Sequence, residues 1–284
     1  MYNILVAIDN SDYSKNAMSM ACEIAKNIGA KVNILFVIEN KLLYHPFVPM
    51  MFNPVMDGYD LGENYTEMFE NSRESIKKFG REALEKAVEY CKKQEVEAVC
   101  YLREGILSEE IKNLANDNDL IIMGIFGLSS KFSGGLLGSG VEEVARIINK
   151  PLLLAPEKVE KIEKVAIAFD NSEYANKTLR LSFWMKKIWK SDIEFEVFSV
   201  IEHKDEEKEM TEIINGLIAE HPEYKSRILL SDNRAEMIIN HVTESEFDLL
   251  MMGAYGHSRI RELILGGTTS EVIRKIRVPV LLNR

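Results

Sequence analysis

Two loops carry the residues with the clearest chemical promise. GIFGLSSKFSGGLLGSGVEEV, residues 124–144, and GAYGHSRIRELILGGTTSEV, residues 253–272, each begin at the glycine that closes an apolar run. In the first, Gly124, Gly127 and Gly138 with Ser139 lead into a helical pattern near Val141. In the second, Gly253 and Gly256 lead to Gly266, Gly267 and Thr268. Glycine lets backbone N–H groups approach a ligand closely, and a helix start adds unpaired donors and the positive end of a dipole. Serine and threonine add hydroxyl donors. Phosphate is the natural guest of such a loop.

The two best-known phosphate motifs are absent. No Gly-Lys-Ser/Thr occurs, so there is no GxxxxGK[ST] loop, and the first apolar run of each half leads into IDNSDYS or FDNSEYA rather than GxGxxG. A P-loop NTPase and a conventional NAD protein are therefore excluded. Asp9 and Asp170 stand in those two segments. Asp-Asn-Ser is also turn and helix-cap chemistry, so a ligand role competes with a local one. No catalytic constellation is visible. His257 sits beside Ser258 and Arg259, which favours a solvent-facing or phosphate-facing role, and His45, His203, His221 and His241 fall in unrelated segments and form no metal set.

Loops of this kind need strands and helices to aim them. Apolar runs of five or six residues alternate with longer stretches of helical period, the pattern of βαβ units with strands buried on both faces. Strands are expected near Ile4–Ile8, Val32–Val37, Ala98–Leu102, Leu120–Met123 and Leu152–Leu154. They recur near Val165–Phe169, Glu196–Val200, Arg227–Leu230, Leu249–Met252 and Val280–Leu282. Tyr13–Ile28 and Phe69–Lys93 read as helices, the former capped by Ser11 or Asp12. LRLSFWMKKIW reads as helix with Trp184 and Ile188 in its core, and EHKDEEKEM as a solvated helix start.

The chain is written twice. ILVAIDNSDYSKNAM matches VAIAFDNSEYANKTL, ILFVIEN matches VFSVIEH, DLIIMGIFG matches DLLMMGAYG, and EVARIINKPLLL matches EVIRKIRVPVLL, in the same order. Two α/β domains are expected, 1–156 and 162–284, joined within APEKVEKIEK, from Ala155 to Lys164. Each should be a doubly wound five-stranded parallel sheet, its ligand edge beyond the carboxyl ends of the strands. The closing strands PLLLAP and PVLLNR are apolar enough that pairing them would remove an aggregation hazard. The segment Lys41–Tyr65 has no counterpart in the second half. It reads as a packed surface loop or helix extension in preference to a lid on a bound ligand, with a dimer contact equally allowed.

Composition sets the remaining bounds. The net charge of −10 opposes non-specific attachment to nucleic acid or an anionic membrane. Cys22, Cys91 and Cys100 are odd in number and lack metal-ligand spacing, so they suggest neither a disulfide framework nor zinc. With no leader-like segment after Met1 and no membrane-length apolar run, a cytoplasmic location is expected.

The ordered, duplicated set of VAID-x-S, IEN or IEH, DLIIMG, the glycine loop and KPLLL or VPVLL resembles the universal stress protein family over nearly the whole chain. The resemblance implies strand order 3-2-1-4-5 in each half, a nucleotide-α-hydrolase-like variant of the Rossmann fold. It also implies a regulatory protein binding ATP, or AMP or ADP, with or without Mg²⁺, and an internal pseudo-dimer that can itself dimerise. Adenine and ribose would lie on Asp9 and Val37, and on Asp170 and Val200, with phosphates on the glycine loops. The family motif, G-x2-G-x9-G-[ST], is met differently by the two copies. Ten residues separate Gly127 from Gly138 in the first, which keeps Ser139 and the third-strand Gly105; nine separate Gly256 from Gly266 in the second, where Gly267 replaces the hydroxyl and Thr268 comes one later. The first site is therefore expected to bind more tightly. The alternatives are a nucleotide-free dimerisation module and an adenylating enzyme of the same broad fold, whose SGGxDS or HIGH signature is missing.

Overall fold

The computed structural model describes residues 1–39, 65–127, 139–159, 161–188, 193–254 and 266–284; at 65–72, 139, 187 and 188 it describes the backbone alone. The first half runs β1 (Asn3–Ala7), α1 (Asp12–Ile28), β2 (Lys31–Glu39), α2 (Tyr65–Lys93), β3 (Ala98–Gly105), α3 (Leu107–Ala115), β4 (Leu120–Gly124), α4 (Ser139–Ile147) and β5 (Leu152–Ala155). The second repeats it with β6 (Lys164–Ala168), α5 (Glu173–Ile188), β7 (Glu194–Ile201), α6 (Glu207–Leu217), β8 (Tyr224–Leu230), α7 (Arg234–Glu244), β9 (Leu249–Gly253), α8 (Gly267–Lys275) and β10 (Val280–Asn283). The helix expected from Phe69 starts earlier, at Tyr65. The charged run before α6 opens as a single 3₁₀ turn, Lys204–Glu206.

All ten strands join one sheet in the order β3-β2-β1-β4-β5-β10-β9-β6-β7-β8. Read from its own first strand, each half has the order 3-2-1-4-5. Pairing within a half is parallel, while β5 and β10 meet antiparallel with Leu153 opposite Leu281. Eight of the ten runs expected to be covered on both faces are so; the edge strands β3 and β8 are not, and leave Cys100 and Leu230 exposed because, among the described residues, no further strand or helix closes over them. Alternate residues feed two cores, one under α1, α2, α5 and α6, the other under α3, α4, α7 and α8. Strand residues such as Ile4 and Val6 face the first core and Leu5 and Ala7 the second, the period-two division that a parallel sheet between helical layers requires.

The seam between the halves has polar ties as well. Arg284 Nη1 of the second half donates to the carbonyl of Arg146 in the first, and Asn16 Nδ2 holds the start of the linker beside it by donating to the carbonyls of Pro156 and Glu157. One expectation fails here. Trp184 is 36% exposed and meets the ring of Tyr2 edge-on at 5.4 Å, so it belongs to the surface of the seam rather than to a helix core. Its neighbours Leu181 and Met185 supply the apolar contact instead. The Ile188 side chain lies outside the described residues.

Candidate functional site

At the end of β1 the chain turns sharply. Asn10 takes φ 67°, Ser11 N donates to Asp9 Oδ1 at 3.0 Å, and Ser11 Oγ caps α1 by accepting from Ser14 N at 3.1 Å. The second half repeats the turn with Asn171 at φ 60°, Ser172 N donating to Asp170 Oδ1 at 3.1 Å, and Ala175 N donating to Ser172 Oγ at 3.2 Å. Each aspartate therefore gives one oxygen to its turn, the local role that Asp-Asn-Ser suggested. The other oxygen of Asp9 points across to the neighbouring strand connection. β1 and β4 pair with Ala7 opposite Met123, and a Cβ on Gly127 would lie 2.6 Å from Asp9 Oδ2. Glycine at 127 is what makes room for that carboxylate.

On the other side of β1 lies β2. Ile8 N donates to the Leu35 carbonyl at 2.9 Å, which sets Val37 just beyond the point where β1 ends. Phe169 N donates to Phe198 at 2.8 Å and sets Val200 in the same relation to Asp170. Gly105 closes β3 opposite Glu39 with φ 155°, a conformation that side chains disfavour. Asp9, Val37, Gly105 and Gly127 thus lie along the carboxyl edge of one half.

Gly124 and Gly253 have a packing task that the sequence did not announce. A Cβ on Gly124 would stand 2.6 Å from Tyr13 Cβ, and one on Gly253 would stand 3.0 Å from Tyr174 Cβ. These glycines let the first turn of α1 and of α5 pack directly on β4 and β9; the predicted close approach to phosphate is not needed to explain them. Tyr13 also meets Phe126 edge-on at 5.5 Å, and burial, assisted by the charge of Glu157 and opposed by Arg277, raises its hydroxyl pKa.

Ser139 is the first residue of α4, and Gly267 and Thr268 open α8 behind Gly266, which makes no side-chain cap. A Cβ on Gly267 would meet nothing within 4 Å. Gly138, Gly256, His257, Ser258, Arg259, His45 and the segment 41–64 lie outside the described residues.

The halves differ after their third strands. In the first, α3 follows Gly105 and Ile106 without a side-chain cap. In the second, Asn233 Oδ1 accepts from Glu236 N at 3.2 Å, and Asn233 N donates to Ser231 Oγ at 3.1 Å. The position of Gly105 is there filled by a capping turn. Beside Gly105, Glu104 accepts from Arg73 and lies 3.0 Å from Lys77 Nζ; the hydrogen bonds from Arg73 and then Lys77 hold its carboxyl below the ordinary range. Spacing of four on α2 was the available sign that Arg73 and Lys77 share a face. Among the described residues no His, Cys, Asp or Glu cluster could hold a metal by itself, and no helix is long and apolar enough to cross a membrane.

The fold and this edge define a class: tandem, doubly wound α/β proteins whose functional loops gather beyond the carboxyl ends of parallel strands. The chain belongs to the universal stress protein family, whose family model matches residues 1–156 and again 161–284. It is similar to universal stress protein Slr1230 of Synechocystis, 28% identical over all of both chains. It is also similar to universal stress protein YxiE of Bacillus subtilis, 30% identical over 54% of this chain and 99% of that one. Among solved structures, a universal stress protein from Archaeoglobus fulgidus superposes with a TM-score of 0.72 at 23% identity, over 99% of this chain and 96% of that one. That last likeness supports the fold.

Proposed function

We propose that the protein is a regulatory adenine-nucleotide sensor of the cytoplasm, binding ATP, or AMP or ADP, at the carboxyl edge of its first half. The observation that carries this reading is the meeting of Asp9 Oδ2 with the bare backbone of Gly127. A carboxylate that accepts from ribose hydroxyls there adjoins a residue with no side chain, where phosphate can approach a backbone N–H group. Val37 supplies an apolar wall for adenine, and Gly138 and Ser139 complete the phosphate cradle. Gly124, like Gly253 in the second half, opens the loop while admitting the first turn of the neighbouring helix. A Mg²⁺ ion would arrive with the phosphates, since no described cluster is built to hold one alone. The nucleotide acts as the signal, and no residue here is cast as a catalyst.

The corresponding second site comprises Asp170, Val200, Gly253, Gly256, Gly266, Gly267 and Thr268. It binds more weakly, because Gly267 offers no hydroxyl and the capping turn at Ser231–Asn233 fills the place of Gly105. One lost hydrogen bond to a charged group, roughly 1.5–3 kcal/mol, corresponds to about tenfold or more in affinity. Mass spectrometry of small molecules released from purified protein tests the ligand, and titration of Asp9→Ala and Asp170→Ala tests the ranking. Retained tight binding in the first with loss in the second reverses it. A protein that neither carries nor binds adenine nucleotide is instead a dimerisation module.

A further inference from the structure

Two of the three cysteines, 69 residues apart in sequence, meet inside the first half. Cys22 on α1 and Cys91 on α2 have their sulfurs 3.3 Å apart, and both residues are buried, at 2% and 0% exposure. The two helices lie on the same face of the sheet and are also tied by Tyr90, whose hydroxyl donates to Ser19 Oγ at 3.2 Å. Ala21 and Ala25 lie in the same core beside Cys22, and Ala87 beside Cys91, small residues that let the thiols meet without a bulky neighbour between them. Packing explains a buried cysteine at each position, since cysteine behaves as a small hydrophobe. It does not require that the two sulfurs face one another.

We propose that Cys22 and Cys91 form a thiol pair that hydrogen peroxide oxidises to an intramolecular disulfide, fastening α1 to α2. A disulfide needs its sulfurs at about 2.05 Å, so the gap closes by a little more than 1 Å. The hydrogen bond from Cys22 lowers the pKa of Cys91 despite burial, while Cys22 is pushed up, so Cys91 ionises first. Its thiolate attacks one peroxide oxygen, the O–O bond breaks, and a sulfenic acid forms as the other oxygen leaves and takes a proton to become water. Cys22 then attacks the Cys91 sulfur: the S–S bond forms, the S–O bond breaks, and the hydroxyl departs with the Cys22 proton as a second water. Two thiols have lost two electrons and hydrogen peroxide has gained them.

The closed loop spans the rest of α1, all of β2 and nearly all of α2, and so includes both Glu39 at the end of β2 and Tyr65 at the start of α2. Oxidation therefore restrains the chain at both points. The exposed Cys100 on β3 is open to reagents that the buried pair meets only after the helices part, so it is replaced in the test.

The test uses the full-length Cys100→Ser protein, treated with hydrogen peroxide and analysed by intact mass, peptide mapping and thermal unfolding. The expected result is a loss of about 2 Da, a Cys22–Cys91 linked peptide, loss of both free thiols and their return with dithiothreitol. The oxidised protein should unfold roughly 5–10 °C higher, the order expected of a cross-link that closes a long loop. A Cys91→Ala variant in the same background should show no 2 Da loss. Both thiols remaining free in folded protein, oxygen addition without a cross-link, or a linkage only between chains would overturn the proposal.

Discussion

At the scale of single residues, the glycines of the sheet edge divide by what a methyl group would strike. A Cβ at Gly124 meets Tyr13 Cβ at 2.6 Å and the Phe126 carbonyl at 3.0 Å, neither of which moves without shifting backbone. Gly124→Ala should destabilise the fold by about 1–3 kcal/mol, visible as a lower unfolding midpoint whether or not nucleotide is present. At Gly127 the obstacle is a side-chain carboxylate oxygen of Asp9 rather than backbone, so Gly127→Ala should unfold within a few degrees of wild type. An equal loss of stability in both variants would contradict this division. The sequence marked both glycines as unusual without separating them, because the separation depends on Tyr13, over a hundred residues away, settling onto β4. Asp9 was legible in the same partial way: its spacing suggested a turn or a ligand, and the fold gives one oxygen to the turn. Trp184 was misread because an apolar residue at helical spacing normally faces a core, and nothing local announces that the seam with Tyr2 lies there. The Cys22–Cys91 contact was invisible for a like reason, since no local spacing signals a meeting across 69 residues.

At the scale of elements, strands and their order followed from the alternation of apolar runs and helical periods, because a strand buried on both faces has little choice of residue. Polar ties between elements were harder to foresee. Glu196 on β7 is buried and joins two neighbours: His241 of α7, whose Nε2 lies 2.6 Å from Oε1, and Arg227 of β8, whose Nε lies 3.3 Å from Oε2. Burial opposes ionisation of Glu196, but the hydrogen bond and charge of His241, with Arg227, outweigh it and hold the carboxyl below the ordinary glutamate range. A carboxyl with a depressed folded pKa gives stability that is complete above its unfolded value, about 4.3, and is lost as pH falls through its folded value. Wild-type protein should therefore lose part of its stability below about pH 4.3, and Glu196→Gln should show a shallower decline there. Near neutral pH the variant should be less stable by about 1.5–3 kcal/mol, since hydrogen bonds to a charged group are lost in a partly buried site. Unfolding midpoints measured across the acid range check both statements, and parallel curves for the two proteins would refute the assignment.

At the scale of the whole molecule, the antiparallel pair β5–β10 converts two five-stranded sheets into one of ten strands, with Leu153 opposite Leu281 at its centre. An unpaired closing strand of such apolar character would be an open template for association. Residues 1–156 produced alone should therefore form a homodimer through β5, and sedimentation that finds a stable monomer would show that the strand tolerates exposure. In the full chain, Leu281→Asp should cost more than about 4 kcal/mol, because the carboxylate would enter a core position only 2% exposed with no partner for its charge. The duplicated motifs made the two halves legible, while the tie of Asn16 to the linker carbonyls depended on the folded seam. The central claim is that one edge of this molecule holds an adenine nucleotide against Asp9 and Gly127. Calorimetric titration of ATP into wild-type protein and Gly127→Val, with folding of the variant verified, tests it most directly. The account predicts binding by the wild type and a loss of about tenfold or more in the tighter binding event of the variant; unchanged affinity in a folded variant, or no binding by the wild type, would contradict it.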